Sequence, residues 1–487
     1  MLDILFSHSY YYPLDHKQWN NQTPYPPLGT IYAASLMREN GFSVDLFDTN
    51  LRDNPYDIEA EIVHKKPKFL VLYDDGFNYL TKMCLTTMRE AAFEMMRIGK
   101  THNCTIIVNS SDATDHYPKY LYNGADYIIQ GEGEITLLEL INTLKKGLSV
   151  EKIKGLVYTK EEKTITNPKR EVLKNLDDLP LPAWDLVNIE SYKNIWIHSG
   201  KEFTLNLATT RGCPFKCNWC AKPIYGNRYN NHSPEYVVRH IQYLQKNYQV
   251  YRFWMCDDIF GLTPGWVQNF NQELKRTNTK LSYYIQSRVD LLLKENTIEA
   301  LAESGLKEVW VGAESGSQSI LDAMDKGTKV EEIYKATTLL KEKNIRVAFF
   351  IQFGYLGETK NDISKTIKMI KELIPDDLGI SVSYPLPGTK FYDKVKDDLR
   401  FKANWTDSDD LAMMFKGTYN SKYYKKLHRY AHKEYRKSQG LQFLKKAIKN
   451  PADVSSTAMK RIIYLLYYFP SAFMDSQILK RMEHLNE

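Results

Sequence analysis

Short apolar runs alternate with amphipathic stretches along the first 150 residues. LDILFSH (2–8), FSVDLFDTN (42–50), KFLVLYDD (68–75), CTIIVNSS (104–111) and ADYIIQG (125–131) read as β-strands. Between them lie helical patterns. TIYAASLMREN (30–40) is one, closed by Gly41 as a C-terminal cap, and LLELINTLKK (137–146) is another. Strands that alternate with helices predict a doubly wound parallel sheet covered on both faces. Ligands of such sheets lie beyond the carboxyl ends of the strands. Those ends are the loops at 7–12, 48–50, 74–77, 109–114 and 131–134. The last of these, GEGE, is a Gly-rich turn at a helix start, either a plain tight turn or a set of backbone N–H groups offered to a polar ligand.

Residues 151–200 read as a connector. GLVYTKEEKTITNP (155–168) has the form of a hairpin, and NLDDLPLPAWDL (175–186) is a Pro-bearing linker without periodicity. From residue 201 the alternation resumes. TLNLATT, RFWMCDD, SYYIQSR, EVWVGAES, RVAFFIQFG and GISVSYPL are six strand candidates separated by helical patterns such as EYVVRHIQYLQKN and IEALAES. Six repeats over residues 201–400 predict a partial (β/α)6 barrel, with chemistry at the C-terminal strand ends. Cys213, Asp257, Asp258, Arg288, Glu314 and Gly354 fall at or just past those ends. Residues 401–487 change character. They form a helical C-terminal region in which positions 421–450 carry ten Lys or Arg and one Glu, ahead of the apolar block Ile462–Phe469. A basic helix beside an apolar block reads as a lid on the barrel or as a peripheral contact with an anionic membrane.

Composition narrows the field. The 487 residues are 43% hydrophobic and 25% charged, as in a globular protein, and the net charge of +6 is too small for a nucleic-acid binder. The N-terminus lacks the basic start and long apolar run of a secretory signal, and Ile462–Phe469 is too short to span a bilayer. These features predict a cytoplasmic protein. Six cysteines do not make a disulfide framework, but three of them crowd into eight residues, which favours metal chemistry.

TTRGCPFKCNWC spaces Cys213, Cys217 and Cys220 as C-x3-C-x2-C. Thiolates suit an iron–sulfur cluster or zinc. A closed zinc site needs four ligands, and His232 is the nearest imidazole able to complete one. Three thiolates on a four-iron cluster instead leave one iron open for a small ligand. The spacing alone leaves both readings standing, including a non-catalytic zinc module.

C-x3-C-x2-C with Trp219 directly before the last Cys, after the first strand of a six-repeat barrel, resembles the signature of the radical S-adenosylmethionine superfamily. The resemblance implies that Cys213, Cys217 and Cys220 hold an oxygen-sensitive 4Fe-4S cluster whose open iron chelates S-adenosylmethionine. Reductive cleavage there yields a 5′-deoxyadenosyl radical that removes hydrogen from an unactivated carbon. It implies an external electron donor of flavodoxin or ferredoxin type. FWMCDDIF resembles the second strand, so Asp257 or Asp258 would hold the methionine ammonium, or else cap the helix that follows. IQSRVD offers Gln286, Ser287 and Arg288 to the ribose. VWVGAESGSQSILDAMDKG resembles the fifth-strand segment of cobalamin-associated members, placing Glu314 and Ser315 on the cofactor; the plainer reading of Glu314 is a salt-bridged carboxylate at the barrel rim. FGYLGET resembles a G-x-P-G-E-T turn in which Leu356 replaces the Pro.

TPYPPLGTIYAASLMRENGFSVDLFDTN and GADYIIQGEGEITLLEL resemble the two ends of the superfamily's cobalamin-binding domain. The contacts implied there are Pro27, Leu28, Gly29, Asp75, Asn109, Ser110, Gly131, Glu132 and Gly133. The D-x-H-x-x-G pattern that supplies a lower cobalt ligand in some cobalamin proteins does not occur. The methylthiotransferase branch needs three further N-terminal cysteines, whereas only Cys84 and Cys104 are present, both in patterns that read as buried. The branch implied is the cobalamin-dependent radical methyltransferase, acting on a small-molecule or lipid-like substrate. A cobalamin-associated cyclase or rearrangement enzyme and a cobalamin-binding regulator are the alternatives.

Overall fold

In the computed structural model, residues 2–83, 85–399, 404–406, 408, 410–451 and 454–483 are described. Cys84 and the expected boundary at 400/401 lie outside them. The chain forms two compact units. The first comprises Met1–Phe215, Ala221–Ile285 and Asn404–Asp410, and the second Lys216–Cys220, Gln286–Ala403 and Leu411–Glu487. They cut across the linear segments read from the sequence.

In the first unit, β1 (Ile4–Ser7), β2 (Val44–Phe47), β3 (Phe69–Tyr73), β4 (Thr105–Asn109) and β5 (Tyr127–Ile129) form a parallel sheet in the order β2-β1-β3-β4-β5. Ile4 stands between Val44 and Phe69 in register. Every residue of β1 and β3 is buried, as expected of strands covered on both faces. The core on one face gathers Leu5, Leu70, Ile106, Met95 and Ile128.

The hairpin expected in the connector is present as β6 (Leu156–Lys160) and β7 (Lys163–Thr166), but it is not a spacer. β6 pairs antiparallel with β5, so the hairpin extends the first sheet to seven strands. A lone hairpin is marginal in water, and pairing with a sheet edge is what stabilises it.

The same unit holds β8 (Leu205–Leu207), a two-residue ribbon of β9 (Thr210–Arg211) with β10 (Asn230–Asn231), β11 (Arg252–Met255) and most of β12 (Ser282–Ser287). β11 lies parallel between β8 and β12. The intervening helix Pro234–Tyr248 starts where the sequence supplies a complete signal. The Ser233 side chain accepts from Tyr236 N–H, Pro234 occupies the first turn, and Gln249 ends the helix in the left-handed region.

The second unit carries β13 (Leu306–Glu314), β14 (Arg346–Phe353) and β15 (Asp377–Val382), parallel and in that order. All six barrel-strand candidates are therefore strands; β12 runs across the division between the units, at Ile285/Gln286. Cys256, read as a strand residue, sits just past the end of β11 and is buried. The unit ends in the helices Ser421–Lys449, Ser456–Ile463 and Leu465–Glu483. The fold class is α/β: a mainly parallel sheet, six further parallel strands alternating with helices, and a helical C-terminal region.

Candidate active site

In the first unit the ends of the sheet strands are knitted together. The helix Leu28–Glu39 begins at Pro27, which offers no side-chain cap. Asp75, from the end of β3, serves instead: its carboxylate accepts from Leu28 N–H at 3.2 Å, Gly29 N–H at 3.0 Å and Phe77 N–H at 3.0 Å. Burial pushes this carboxyl up, against those three donors. A Cβ at Gly29 would stand 3.1 Å from Asp75 Oδ1 and 3.2 Å from Asp75 Cα, a tighter approach than most Cβ atoms make. Asn109 donates to the carbonyls of Ile129 and Gly131, both at 3.0 Å, and Ser110 caps the next helix through Ala113 N–H. A Cβ on Gly133 would meet the Tyr73 ring at 2.8 Å and Asn109 Cγ at 2.9 Å. The structure thus brings Leu28, Gly29 and Asp75 together, and Asn109 with Gly131 and Gly133.

Glu132 and Glu134 of the GEGE turn converge on Arg211, at 2.5 and 2.8 Å. All three side chains are almost wholly buried. Arg211 also lies 5.4–5.6 Å from the ring centroids of Tyr32, Phe77 and Tyr225. Burial opposes its charge, but Glu134, Tyr225 and Glu132 outweigh that and hold the guanidinium well above its ordinary range. Arg211 stands two residues before Cys213. Its role was missing from the sequence reading, although TTRG and GEGE were both on view there.

Asp257, at the end of β11, accepts from Thr209 N–H at 2.7 Å, Thr210 N–H at 2.9 Å and the Thr209 hydroxyl. It fixes the turn that leads into the cysteine motif. Burial pushes it up to about 7, and the Thr209 donors pull against that. Asp258 pairs with Lys82. Neither caps the helix Trp266–Arg276, whose N-cap is Gly265. The Asp177 carboxylate accepts from His232 Nδ1 at 2.9 Å, and the His232 ring stacks on Tyr236.

Asn50 Oδ1, Asn206 Oδ1 and Trp254 Nε1 are among the buried polar atoms that find no hydrogen-bond partner in the protein. They gather on one segment. Asn50 Nδ2 donates to the Tyr25 carbonyl and Asn206 Nδ2 to that of Pro26, each at 2.9 Å, while the Trp254 ring lies 4.7 Å from the Tyr25 ring. Buried polar atoms are normally satisfied, so this group marks a place where a polar ligand or water would sit.

In the second unit the residues Lys216–Cys220 are held by the spacer Asn218, not by the cysteines. Asn218 N–H donates to the Met324 carbonyl at 3.0 Å, and its carbonyl accepts from Phe391 N–H at 2.9 Å. Its side chain donates to the Ala323 carbonyl at 2.7 Å and to Asp325 at 3.2 Å, and accepts from the Tyr355 hydroxyl at 2.6 Å. Trp219 packs on Ile320, Met324, Tyr355, Phe391, Val395 and Phe415. The result is a fixed turn, closed by Cys220 N–H to the Cys217 carbonyl, on which both thiols stay half-buried.

Arg288 Nη1 lies 4.0 Å from Cys217 Sγ and donates to the Lys326 carbonyl at 2.8 Å, while its Nε pairs with Asp290 at 2.9 Å. Lys326 Nζ pairs with Glu314 at 2.8 Å, both buried. Burial opposes the ammonium, but Glu314 and then Cys217 hold it above the usual lysine range. Glu314 is the salt-bridged carboxylate of the plainer reading, and it sits in the left-handed region at φ 55°, where the β13–β14 register shifts. Such backbone outliers collect at functional sites. A Cβ at Gly312 would stand 2.6 Å from Lys326 Nζ and 2.7 Å from Glu314 Oε1, so a side chain there would displace this ion pair. Ser315 is buried, its hydroxyl 3.1 Å from that of Thr366. Ser287 is buried and Gln286 half-buried at the end of β12.

Among the described residues, no three His, Cys, Asp or Glu side chains stand close enough to hold one metal ion. A mononuclear zinc needs all its ligands within a single bonding radius of roughly 2.0–2.3 Å. A cluster does not, because each thiolate binds a different iron. Cys213, Cys217 and Cys220, none in a disulfide, match the second requirement in donor type and exposure.

Residues 207–370 match the model of the Radical SAM superfamily. The chain is similar to an uncharacterized methyltransferase of Pyrococcus horikoshii, 28% identical over 386 residues that cover 78% of this chain and 81% of that one. It is similar to an anaerobic magnesium-protoporphyrin IX monomethyl ester cyclase of Rubrivivax gelatinosus, 26% identical over 408 residues that cover 81% and 70%. Its fold is that of the radical S-adenosylmethionine methyltransferase TsrM from Kitasatospora setae, solved with cobalamin and a [4Fe-4S] cluster: the TM-score is 0.68 at 17% identity, covering 82% of this chain and 75% of that one.

Proposed function

We propose that the chain is a radical S-adenosylmethionine enzyme that joins a 4Fe-4S cluster on Cys213, Cys217 and Cys220 with cobalamin to methylate an unactivated carbon of a small-molecule or lipid-like substrate. The observation that carries the cluster assignment is the Asn218-anchored turn, which presents Cys217 and Cys220 half-exposed with a guanidinium beside Cys217. When bound, the cluster supplies the electron that cleaves S-adenosylmethionine and cobalamin supplies the methyl group.

The remaining work falls to the chain. Asn218 fixes the direction of two thiols. Arg288 and Lys326 place positive charge beside a sulfur ligand, which eases addition of an electron to an anionic centre. Asp257 holds the turn entering Cys213. Gln286, Ser287 and Asp258 remain candidates for S-adenosylmethionine, whereas the carboxylate of Asp257 already accepts three hydrogen bonds from Thr209 and Thr210.

The pair Asn50 and Asn206, with Trp254, offers two acceptors and one donor to a ligand rich in amides, as a corrin is. Around them, the backbone at Pro27, Leu28, Gly29, Asn109, Ser110, Gly131 and Gly133 is the proposed contact surface. Asp75 and Glu132 act there as supports for that backbone. An external flavodoxin- or ferredoxin-type donor would deliver the electron, in the cytoplasm.

The test is anaerobic reconstitution with quantification of iron, sulfide and corrin. About four iron and four sulfide per chain are expected, with loss of S-adenosylmethionine cleavage in Cys217→Ser. Colourless protein with one zinc overturns the cluster assignment. Methyl transfer yields S-adenosylhomocysteine alongside 5′-deoxyadenosine. The similarity to a cyclase favours one second reading, a radical cyclisation, in which 5′-deoxyadenosine forms without S-adenosylhomocysteine.

A further inference from the structure

The last helix is built inside out. Along Leu465–Glu483 the inward stripe is Leu465, Ala472, Asp475 and Leu479, all buried. The acid in that stripe is neutralised within the unit by Lys433 at 2.6 Å and Lys426 at 3.2 Å. The outward positions carry apolar groups. Leu466 is 83% exposed, Phe473 65% and Met474 62%, with Tyr467 and Phe469 about half exposed between them. Ile463, on the preceding helix Ser456–Ile463, extends the same apolar run. A soluble surface normally scatters such side chains singly, and contiguous groups mark an interaction site.

Cations border this apolar face. Lys433 Nζ stands 5.8 Å from the centroid of the Tyr467 ring and Lys437 Nζ 5.5 Å from that of Phe469. Lys445, Lys446 and Lys449 are exposed where the helix Ser421–Lys449 ends, and Lys460 is exposed beside Ile463. Lys433 and Lys437 are paired with Asp475 and Glu434, whereas the sequence 445–474 sets a single acid, Asp453, against Lys445, Lys446, Lys449, Lys460 and Arg461. Aromatic and aliphatic groups flanked by lysines suit the boundary between headgroups and acyl chains of an anionic bilayer. A second copy of the chain is a poorer occupant, because a two-fold contact would set the same lysines against one another. Among the described residues no helix is long and apolar enough to cross a membrane, so contact would be parallel to the surface.

We propose that residues 459–474, with the lysines at 445–449, dock this protein on the surface of an anionic lipid bilayer. This rests on the exposed face alone and stands whether or not the methyl-transfer reading holds.

Flotation of the full, anaerobically reconstituted protein with vesicles tests it. Vesicles of phosphatidylcholine containing phosphatidylglycerol should carry the protein up at least about ten-fold more strongly than phosphatidylcholine alone, and raised salt should weaken this. Leu466→Glu with Phe473→Glu should abolish flotation while S-adenosylmethionine cleavage stays unchanged. A second variant, with Lys445, Lys446 and Lys449 all changed to Gln, should lose the preference for phosphatidylglycerol. Failure of the wild type to float overturns the proposal, as does flotation that survives both variants. A dimer in light scattering that Leu466→Glu/Phe473→Glu dissociates, with no vesicle binding, assigns the face to a second copy instead.

Discussion

Two buried cations, Arg211 in the first unit and Lys326 in the second, solve the same problem with different partners. Arg211 spends its charge on Glu132 and Glu134 within a ring of Tyr32, Phe77 and Tyr225. Its partners are carboxylates and rings, and none is among the three cysteines of the motif. Lys326 has a single carboxylate, Glu314, and feels the sulfur of Cys217, which Arg288 also approaches. The first arrangement is mechanical: it locks a helix start to the strand that leads into the cysteine motif. The second is electrostatic: on the proposed assignment of Cys217, its charge would be shared with a group that changes electron count. Buried ion pairs look alike by distance, and the identity of the neighbours tells their purposes apart.

Removing Arg211 should have the largest effect, because two buried carboxylates lose their counter-charge together. Arg211→Ala is expected to cost about 3–5 kcal/mol in chemical denaturation. Adding Glu132→Gln and Glu134→Gln should recover most of it. An unchanged unfolding midpoint in the single variant would break the comparison.

Lys326→Met strands one buried carboxylate and should cost about 3 kcal/mol, at the lower end of the same range. It should also lower the reduction potential of the reconstituted cluster, since a cation beside a sulfur ligand is lost. The Arg211 triple variant should leave that potential where it was. Equal shifts in both would erase the distinction between anchor and tuning group.

Asn218→Ala removes three side-chain hydrogen bonds and is expected to cost about 1–3 kcal/mol. Its sharper signature is reduced iron per chain after reconstitution in protein whose circular dichroism is unchanged.

A further effect is one of pH. Asp257 is raised to about 7 when folded, so the folded state holds a proton that the unfolded chain releases near pH 4. Stability from this group is full below pH 4 and falls as pH rises toward 7, by at most about 1.4 kcal/mol per unit. Asp257→Asn should flatten that part of the stability–pH curve measured by urea unfolding.

The strands were legible because each is a short apolar run with β-branched or aromatic residues, bounded by turn residues. Cys213, Cys217 and Cys220 were legible because three soft ligands within eight residues leave few alternatives. The partners of Arg211 were not. TTRG and GEGE each read as a local turn, and their meeting is a tertiary event across nearly 80 residues. Asn218 looked like a spacer in C-x2-C, since nothing in its neighbours announces bonds to residues 323, 325 and 355. The positive φ at Glu314 is equally silent in sequence, because glutamate has no preference for that region. The hairpin at 156–166 was seen, but its docking on β5 was not: an edge strand signals that it can pair and not with what.

The bonds made by Asn218 carry a consequence for how the enzyme matures. They join peptide and amide groups, so the turn bearing two thiols takes its shape from the polypeptide and not from iron. Newly made chains should therefore reach their final form first and receive the inorganic core afterwards, from whatever assembly machinery delivers it. The same order lets a chain stripped by oxygen be refilled without passing through the unfolded state.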